Sequence, residues 1–181
     1  MEIHLIRHTA VKNMDGICYG QSDVALNDDF LLSFETIKTD DHYDEVISSP
    51  LSRCTKLSDF LTFDYQVEPR LKELNFGKWE LQEWDAIDRN TLQSWSEDYI
   101  NGAPPEGESL QAMEQRVVSF LEEIFEKHPN GKVLLVTHAG VIRIIISHIN
   151  KTPLTEMFSI KVGFGELLKV KWSKNEFNYE N

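Results

Sequence analysis

The sequence predicts an α/β protein, a three-layer α/β/α sandwich around a mostly parallel sheet. Short apolar runs typical of buried strands, at residues 3–6, 46–47 and 133–136, alternate with segments that have a helical spacing of apolar residues. Two of these runs are followed by a histidine, His8 and His138, instead of by ordinary turn residues. Ligands of such sheets bind at the carboxyl ends of the strands, so both histidines are expected at one site.

The predicted elements follow one another without a linker long enough to divide the chain, and a single domain over residues 1–181 is expected. In chain order they are a strand at 3–6, an extended loop at 9–26, a capped helix at 27–39, a strand at 44–48, a helix at 51–61, a short strand at 66–68, one or two helices within 83–100, a loop at 101–109, an amphipathic helix ending at 127, a strand at 133–136, a helix at 141–149, and two strands at 157–162 and 166–172 joined by a turn. Residues 173–181 are polar and are expected to fray.

Composition narrows the classes of function. The net charge of −12 argues against partners such as nucleic acid or acidic membrane surfaces, whose phosphates would be repelled. The sequence has no apolar run of membrane-spanning length and no signal-peptide pattern. Cys18 and Cys54 form neither a disulfide framework nor a metal-binding spacing. A cytoplasmic protein with a small-molecule partner is expected, and the sequence leaves the oligomeric state open.

Two segments point to a site for an anion. Arg7 and His8 follow the first strand, where a cation and an imidazole can bind and attack an anionic group. His138 follows the strand at 133–136, and Gly140 would let the next helix approach an anion with its amino terminus. Two histidines so placed can share one phosphate.

Two further segments add a guanidinium and a carboxylate. Ser49 is predicted to cap the helix at 51–61, with Pro50 in its first turn, which brings Arg53 close to the carboxyl end of a strand. A planar guanidinium there can bind phosphate oxygens bidentately. Glu73 lies in a loop-like segment ahead of a Phe-Gly pair.

Together these segments resemble the histidine phosphatase superfamily, branch 1, the phosphoglycerate-mutase-like enzymes. The resemblance extends over residues 1 to about 149 and rests on four segments: Arg7-His8-Thr9, Ser49-Pro50-Leu51-Ser52-Arg53, Leu71-Lys72-Glu73-Leu74-Asn75-Phe76-Gly77 and Thr137-His138-Ala139-Gly140. It implies a phosphoglycerate-mutase-like fold and hydrolysis of phosphate monoesters through a phosphohistidine.

The resemblance also implies roles for these residues. His8 would attack phosphorus through one ring nitrogen, while a backbone acceptor holds the other and fixes the tautomer. Arg7, Arg53 and His138 would hold the phosphoryl oxygens, so neither a metal nor a cofactor is expected. Glu73 would protonate the leaving oxygen and later activate water.

The loop at 18–26 resembles that of the α-ribazole phosphatases within the family. Tyr19 offers a flat ring and Gln21 offers both a donor and an acceptor, so these residues and Gly20 are expected to contact a nucleoside-like leaving group. An ordinary surface loop is the alternative. Ala139, beside the second histidine, is a further candidate contact.

Two other segments have competing explanations. Ser109 belongs to a Gly-Glu-Ser segment that in the family closes over the site, but it is equally suited to cap the following helix. Trp79, Trp84 and Trp95 could form an aromatic binding box, although their spacing favours the core of a helical insertion.

The chain departs from the family pattern at two places that bear on specificity. Thr9-Ala10 replaces a Gly-Glu pair, which removes a carboxylate, and Leu81 stands where many members have glycine. The function expected from the resemblance is removal of the 5′-phosphate of α-ribazole 5′-phosphate in assembly of the cobalamin nucleotide loop. The alternatives are a phosphoglycerate mutase or broad-specificity sugar-phosphate phosphatase, and a non-catalytic phosphate-sensing module.

Overall fold

A computed structural model describes residues 1–39, 42–62 and 64–173. Its sheet has five strands: β1 (Glu2–Arg7), β2 (Glu45–Ser48), β3 (Gln66–Val67), β4 (Lys132–Thr137) and β5 (Leu167–Lys171). The spatial order is β3-β2-β4-β1-β5. The first four strands are parallel to one another, and only β5 runs antiparallel to its neighbour β1.

Helices connect the strands. They are α1 (Phe30–Thr36), α2 (Ser52–Leu61), α3 (Arg89–Glu97), α4 (Leu110–Lys127) and α5 (Ala139–Asn150), with short 3₁₀ turns at Pro69–Leu71, Gly77–Trp79, Trp84–Ala86 and Leu154–Ser159. Within the described ranges, no helix is both long and apolar enough to cross a membrane. Apart from Ser173, the segment expected to fray lies outside the described residues.

The sheet is covered by helices on both faces, because successive strand residues point to opposite sides. Ile3 and Leu5 of β1 belong to the core beneath α4 and α5, whereas Ile6 belongs to a second core beneath α1 and α2. The neighbouring strand β4 behaves in the same way, with Leu135 in the first core and Leu134 in the second. The predicted α/β/α class is therefore confirmed, and the parallel strands end at a common edge of the sheet.

The start of α2 differs from the prediction. The helix begins at Ser52, so Pro50 precedes it and Ser49 is not its N-cap. The capping group comes from the loop that follows β1, because Asp23 Oδ1 accepts a hydrogen bond from the Ser52 backbone N–H at 2.9 Å. Arg53 still lies in the first turn, as predicted.

The helix predicted at 27–39 is also shorter than expected. Asp29 precedes α1 without a side-chain capping bond, and the backbone N–H of Asn27 is held by the carbonyl of Ala10 in the preceding loop. Phe34 is buried beneath the helix, whereas Leu31 is exposed.

Residues 157–162 do not form the predicted strand, so there is no hairpin with the last strand. The segment contains the end of the 3₁₀ turn Leu154–Ser159 and then an irregular connection, and β5 pairs with β1 instead. Met157 and Val162 are both buried. These two apolar side chains anchor an irregular segment to the core. From local sequence alone, such a segment looks the same as a short buried strand.

Leu81 holds a backbone conformation that favours glycine. Its φ is 66°, its side chain is exposed, and its N–H donates to the Cys18 carbonyl at 2.7 Å. The loop thus keeps the geometry that glycine would provide, at a cost of about 1 kcal/mol for a side chain in the left-handed region.

We expect Leu81→Gly to raise the melting temperature by about 2–4 °C, because a chain of this size gains roughly that for 1 kcal/mol. Thermal unfolding followed by circular dichroism measures the shift. Leu81→Ala is the matched control, since it removes the same exposed side chain but keeps a Cβ, and it should leave the temperature nearly unchanged. A lower melting temperature for Leu81→Gly would show that the left-handed backbone is not a source of strain.

Candidate active site

The two predicted histidines meet because β1 and β4 are neighbours. In the register of the two strands Arg7 lies beside Thr137, so His8 and His138 follow at the same level. Their ring centroids are 5.3 Å apart, and both side chains are buried. Strand pairing thus sets the spacing between the two imidazoles.

His8 is held as a neutral imidazole with a defined tautomer. Nδ1 lies 2.7 Å from the carbonyl of Thr9, to which it donates. Burial, together with the charges of Arg53 and Arg7, lowers the pKa of His8 to about 3, and the Thr9 hydrogen bond opposes this shift in part. Within the described residues Nε2 has no hydrogen-bond partner, so its lone pair faces the adjacent cavity.

His138 is buried behind the site at the start of α5. Its Nε2 lies 2.8 Å from the hydroxyl of Ser49, and the Cys54 thiol is 3.6 Å from the same nitrogen. Burial lowers the pKa of His138 well below its usual value, with the nearby His8 and Arg53 acting in the same direction. Ser49, predicted as a helix cap, therefore serves as a partner of this imidazole.

Arg7 and Arg53 bring positive charge into the site, where Glu73 is a carboxylate whose charge acts on Arg7. Arg53 is fully buried and, within the described residues, donates only to the carbonyls of Ser22, at 2.9 Å, and Gly20, at 2.5 Å. Arg7 donates to the Val162 carbonyl at 2.8 Å, and burial lowers its pKa. Among the described residues neither forms a salt bridge, and the Nε atoms of both are buried without a hydrogen-bond partner. A buried, unpaired charge is costly, so this pair favours an anionic ligand.

Glu73 is fixed by two backbone donors. Its carboxylate accepts from the N–H of Leu74 and the N–H of Gly140, each at 3.0 Å. A Cβ atom at Gly140 would lie 2.2 Å from Glu73 Oε1. Glycine is therefore required at position 140 because a side chain there would collide with Glu73. The sequence had suggested a different role for Gly140, namely close approach of the helix amino terminus to an anion.

A cavity of about 540 Å³ collects most of the predicted residues. Of these, its wall contains Arg7, His8, Tyr19, Arg53, Glu73 and Ala139. The wall also contains Gly140, and residues that the sequence did not assign to the site, among them Ile17, Leu74, Phe76, Tyr99, Leu110, Met113, Arg143, Met157 and Phe158. One side of the cavity is thus cationic, and the rest is mainly aromatic and aliphatic.

Arg143 is the most informative residue that sequence reasoning missed. Its Nε donates to the Ile160 carbonyl at 3.0 Å, and the guanidinium lies 5.7 Å from the ring centroid of Phe158. Residues three and four apart share a helix face. The position of Arg143 relative to Ala139 and Gly140, at the start of a predicted helix, was the signal that could have placed it here.

Three of the predicted substrate contacts lie elsewhere. Gln21 Nε2 donates to the Glu73 carbonyl at 3.0 Å, and Gly20 offers its carbonyl to Arg53. Ser109 caps α4, since its hydroxyl accepts from the Ala112 N–H at 3.2 Å. None of the three belongs to the cavity wall.

The three tryptophans contribute both to the core of the insertion and to the wall of the cavity. Trp79 is buried with Cys18 and Ile87 in a small separate core. Trp84 and Trp95 pack against that core and also line the cavity. The insertion thus uses its own core to present two indole rings to the site.

The site shows no metal-binding arrangement in the part of the chain that the structure describes, since no group of three or more His, Cys, Asp and Glu side chains could hold an ion there. The wall offers the guanidinium groups of Arg7 and Arg53 and the imidazole of His8, which can bind oxyanions directly.

The fold and this constellation define the class of protein. The chain belongs to the histidine phosphatase superfamily (branch 1), whose family model matches residues 3–181. The resemblance inferred from the four segments is thereby confirmed, and the family identifies the chain as a hydrolase of phosphate esters.

Individual relatives share about a quarter of their residues with this chain. The adenosylcobalamin/alpha-ribazole phosphatase of Escherichia coli K12 is 28% identical, over 91% of this chain and 87% of that protein. The crystal structure of the alpha-ribazole phosphatase from Shigella flexneri superposes with a TM-score of 0.86 at 26% identity, covering 96% of this chain and 92% of that one. A phosphoglycerate mutase from Thermus thermophilus gives a TM-score of 0.75 at 27% identity, covering 95% of this chain and 94% of that one.

Proposed function

We propose that the protein hydrolyses α-ribazole 5′-phosphate, in assembly of the cobalamin nucleotide loop, through a phosphohistidine formed on His8. The observation that carries the proposal is a single cavity in which a buried cationic cluster adjoins a wall of aromatic rings. The relatives named as α-ribazole phosphatases support the same substrate.

The first step is binding of the phosphate dianion. Arg7 and Arg53 both act on His8 with their charge and lack carboxylate partners among the described residues, so a phosphate would supply the missing negative charge. His138, held by Ser49, lies beside His8. These groups are in position before substrate arrives and need little reorganisation as charge moves in the transition state.

The second step transfers the phosphoryl group to the enzyme. His8 Nε2 attacks phosphorus, the N–P bond forms, and the bond to the 5′-oxygen breaks. Because Nδ1 donates to Thr9, the ring holds its proton on the nitrogen remote from the reaction, and the positive charge that develops is stabilised by that carbonyl. Glu73, in its protonated form, gives its proton to the departing oxygen.

The third step regenerates the enzyme. The Glu73 carboxylate accepts a proton from water, the water oxygen attacks phosphorus, and the N–P bond breaks to release phosphate and neutral His8. The backbone amides of Leu74 and Gly140 hold the carboxylate in place for both proton transfers.

The aromatic part of the cavity suits the leaving group. Tyr19, Trp84, Trp95 and Phe158 offer ring faces and edges on which the flat, apolar base of α-ribazole could stack. A volume of about 540 Å³ lies in the range of pockets that enclose a small organic ligand. A triose phosphate would leave most of this apolar wall unused.

A second candidate rests on Arg143. Its Nη atoms form no hydrogen bond within the described residues, and Nε is anchored to Ile160, so the guanidinium could pair with a carboxylate on the substrate. Such a pairing would favour 3-phosphoglycerate and related sugar phosphates as substrates. The protein would then be a phosphoglycerate mutase or a broad-specificity sugar-phosphate phosphatase. A non-catalytic phosphate-sensing module has less support, because it would not need the carboxylate of Glu73 in the same cavity as His8.

The remaining features of the proposal follow from the same groups. The reaction is metal-independent, since two arginines suffice to neutralise a phosphate. We place it in the cytoplasm, in keeping with two buried cysteines that are free thiols. The partner is a small molecule, and neither nucleic acid nor a membrane takes part.

We expect kcat/KM for α-ribazole 5′-phosphate to exceed that for 3-phosphoglycerate by about 10²-fold or more, the scale of two well-placed contacts of ~1.4 kcal/mol. Phe158→Ala should lower the value for α-ribazole 5′-phosphate by about tenfold, and Arg143→Met should act mainly on 3-phosphoglycerate. Phe60→Ala, on an exposed ring outside the cavity, is the control. Equal efficiency on both substrates in the wild type would eliminate the α-ribazole assignment in favour of the broad phosphatase.

A further inference from the structure

We propose that Glu108 and Arg116 form a clamp whose function is to position Glu73 for proton transfer. Arg116 makes five hydrogen bonds from its guanidinium. Nη1 donates to the carbonyls of Arg70, at 2.6 Å, and Lys72, at 2.8 Å, and Nη2 donates to the carbonyl of Glu73 at 3.1 Å. One side chain on α4 thus binds three backbone carbonyls in the segment 70–73, which ends at Glu73.

Glu108 completes the clamp from the other side. Its two oxygens accept from Arg116 Nε at 3.0 Å and from Arg116 Nη2 at 2.6 Å, a bidentate pair. Oε1 also accepts from the backbone N–H of Asn75 at 2.9 Å and from Gln21 Nε2 at 3.3 Å. The carboxylate thereby ties the residues after Glu73 to the loop that follows β1.

Glu73 is consequently restrained at both ends. Its carbonyl accepts from Arg116 and from Gln21, and its carboxylate accepts from Leu74 and Gly140. In the described residues the carbonyls that Arg116 binds have no backbone donor. Without Arg116 the carbonyls of Arg70 and Lys72 would lose this partner, and the loop could move its carboxylate away from the phosphoryl group.

The clamp is distinct from the phosphate-binding arginines. Arg116 and Glu108 are mostly buried and neutralise each other, and neither lines the cavity. Arg7 and Arg53, by contrast, have no carboxylate partner among the described residues. Arg116 therefore does not need to touch substrate. It can affect the reaction through its hydrogen bond to the Glu73 carbonyl and through its positive charge, which contributes to lowering the pKa of His138. We accordingly describe Glu108 and Arg116 as positioning residues.

This inference rests on the proposed role of Glu73 as general acid, and the identity of the leaving group can test it. An alkyl phosphate needs a proton on its departing oxygen, whereas p-nitrophenolate leaves without one. A displaced general acid should therefore slow phosphoryl transfer from glycerol phosphate far more than from p-nitrophenyl phosphate. A general loss of structure would slow both substrates alike.

The experiment measures single-turnover phosphorylation of the enzyme by each substrate, with p-nitrophenolate release and acid-quenched phosphoenzyme as readouts. We expect Arg116→Ala and Glu108→Ala to slow the alkyl substrate by about 10²-fold and the aryl substrate less than about threefold. Arg116→Lys should recover part of the loss, since an ammonium can reach some of the same carbonyls. Arg70→Ala is the matched control, because that side chain binds Glu68 and Glu123 outside the cavity.

A double variant separates the clamp from its alternatives. If Arg116 acts through Glu73, then Arg116→Ala combined with Glu73→Gln should be little slower on the alkyl substrate than Glu73→Gln alone. Additive losses, or equal losses on both substrates, would overturn the clamp. If Glu73→Gln itself spares the alkyl substrate, the proposed mechanism fails instead. Should Arg116→Ala not fold, Glu108→Ala and Arg116→Lys provide the same comparison.

Discussion

Replacing His8 with alanine is expected to reduce phosphatase turnover by about 10⁴-fold or more, because the variant lacks the atom that accepts the phosphoryl group. Acid quenching of the wild-type enzyme during turnover with radiolabelled substrate should trap acid-labile phosphate on the protein, and the variant should trap none. Burial keeps His8 neutral, with a pKa of about 3, so its nucleophilic nitrogen is available throughout the usual range of assays.

The control for this experiment is His42→Ala, since His42 is an exposed histidine outside the cavity. The turnover of His42→Ala and the amount of phosphate trapped on this variant should match those of the wild type. The ring signals of His8 in a nuclear magnetic resonance titration should also stay constant from pH 8 to about pH 5, because protonation begins only near the lowered pKa. Near-normal activity in His8→Ala would rule out the covalent mechanism.

Replacing Arg53 with methionine is expected to lower kcat/KM by about 10³-fold, the scale of a lost charge contact to a transferring phosphoryl group. The side chain is buried, it donates only to the carbonyls of Ser22 and Gly20 in the described residues, and an anion would supply its missing partner. Orthovanadate at about 100 times its Kd should stabilise the wild type by roughly 2.7 kcal/mol, or about 5–10 °C in Tm.

Arg53→Met should lose most of this vanadate-induced shift, as measured by differential scanning calorimetry. Arg89→Met, at an exposed position on α3, provides the control and should keep both the activity and the shift. A full vanadate shift in Arg53→Met would mean that the anion binds elsewhere, and the cationic cluster would then not be the phosphate site.

Much of the site was predictable because it follows from local patterns. His8, His138 and Arg53 each stand shortly after an apolar run, and parallel strands bring their carboxyl ends to one edge of the sheet. Once the strands were recognised, convergence of these residues required no knowledge of side-chain packing. Glu73 was located by its segment's resemblance to the family rather than by any local pattern.

The rest depended on contacts between distant parts of the chain. Gln21 was predicted to face substrate, but its amide is bound by the Glu73 backbone and by Glu108, which lie far away in sequence. The clamp formed by Arg116 was missed for the same reason, since a charged residue on an amphipathic helix normally indicates a solvated face. Arg143 was missed because an arginine on a helix does not by itself show which groups its side chain meets, and only its spacing from Ala139 and Gly140 indicates the shared face.

The interior position of β1 in the sheet, between β4 and β5, has a consequence for how the chain folds. The two partners of β1 are β4 and β5, at residues 132–137 and 167–171, so β1 can be paired only after a very large loop has closed. Such closure is entropically costly, and contacts between distant segments form slowly. During synthesis His8 leaves the ribosome long before β4 exists to pair with its strand. On refolding, recovery of activity therefore reports the pairing of β1 with β4. Recovery of the helical circular dichroism signal does not report this pairing.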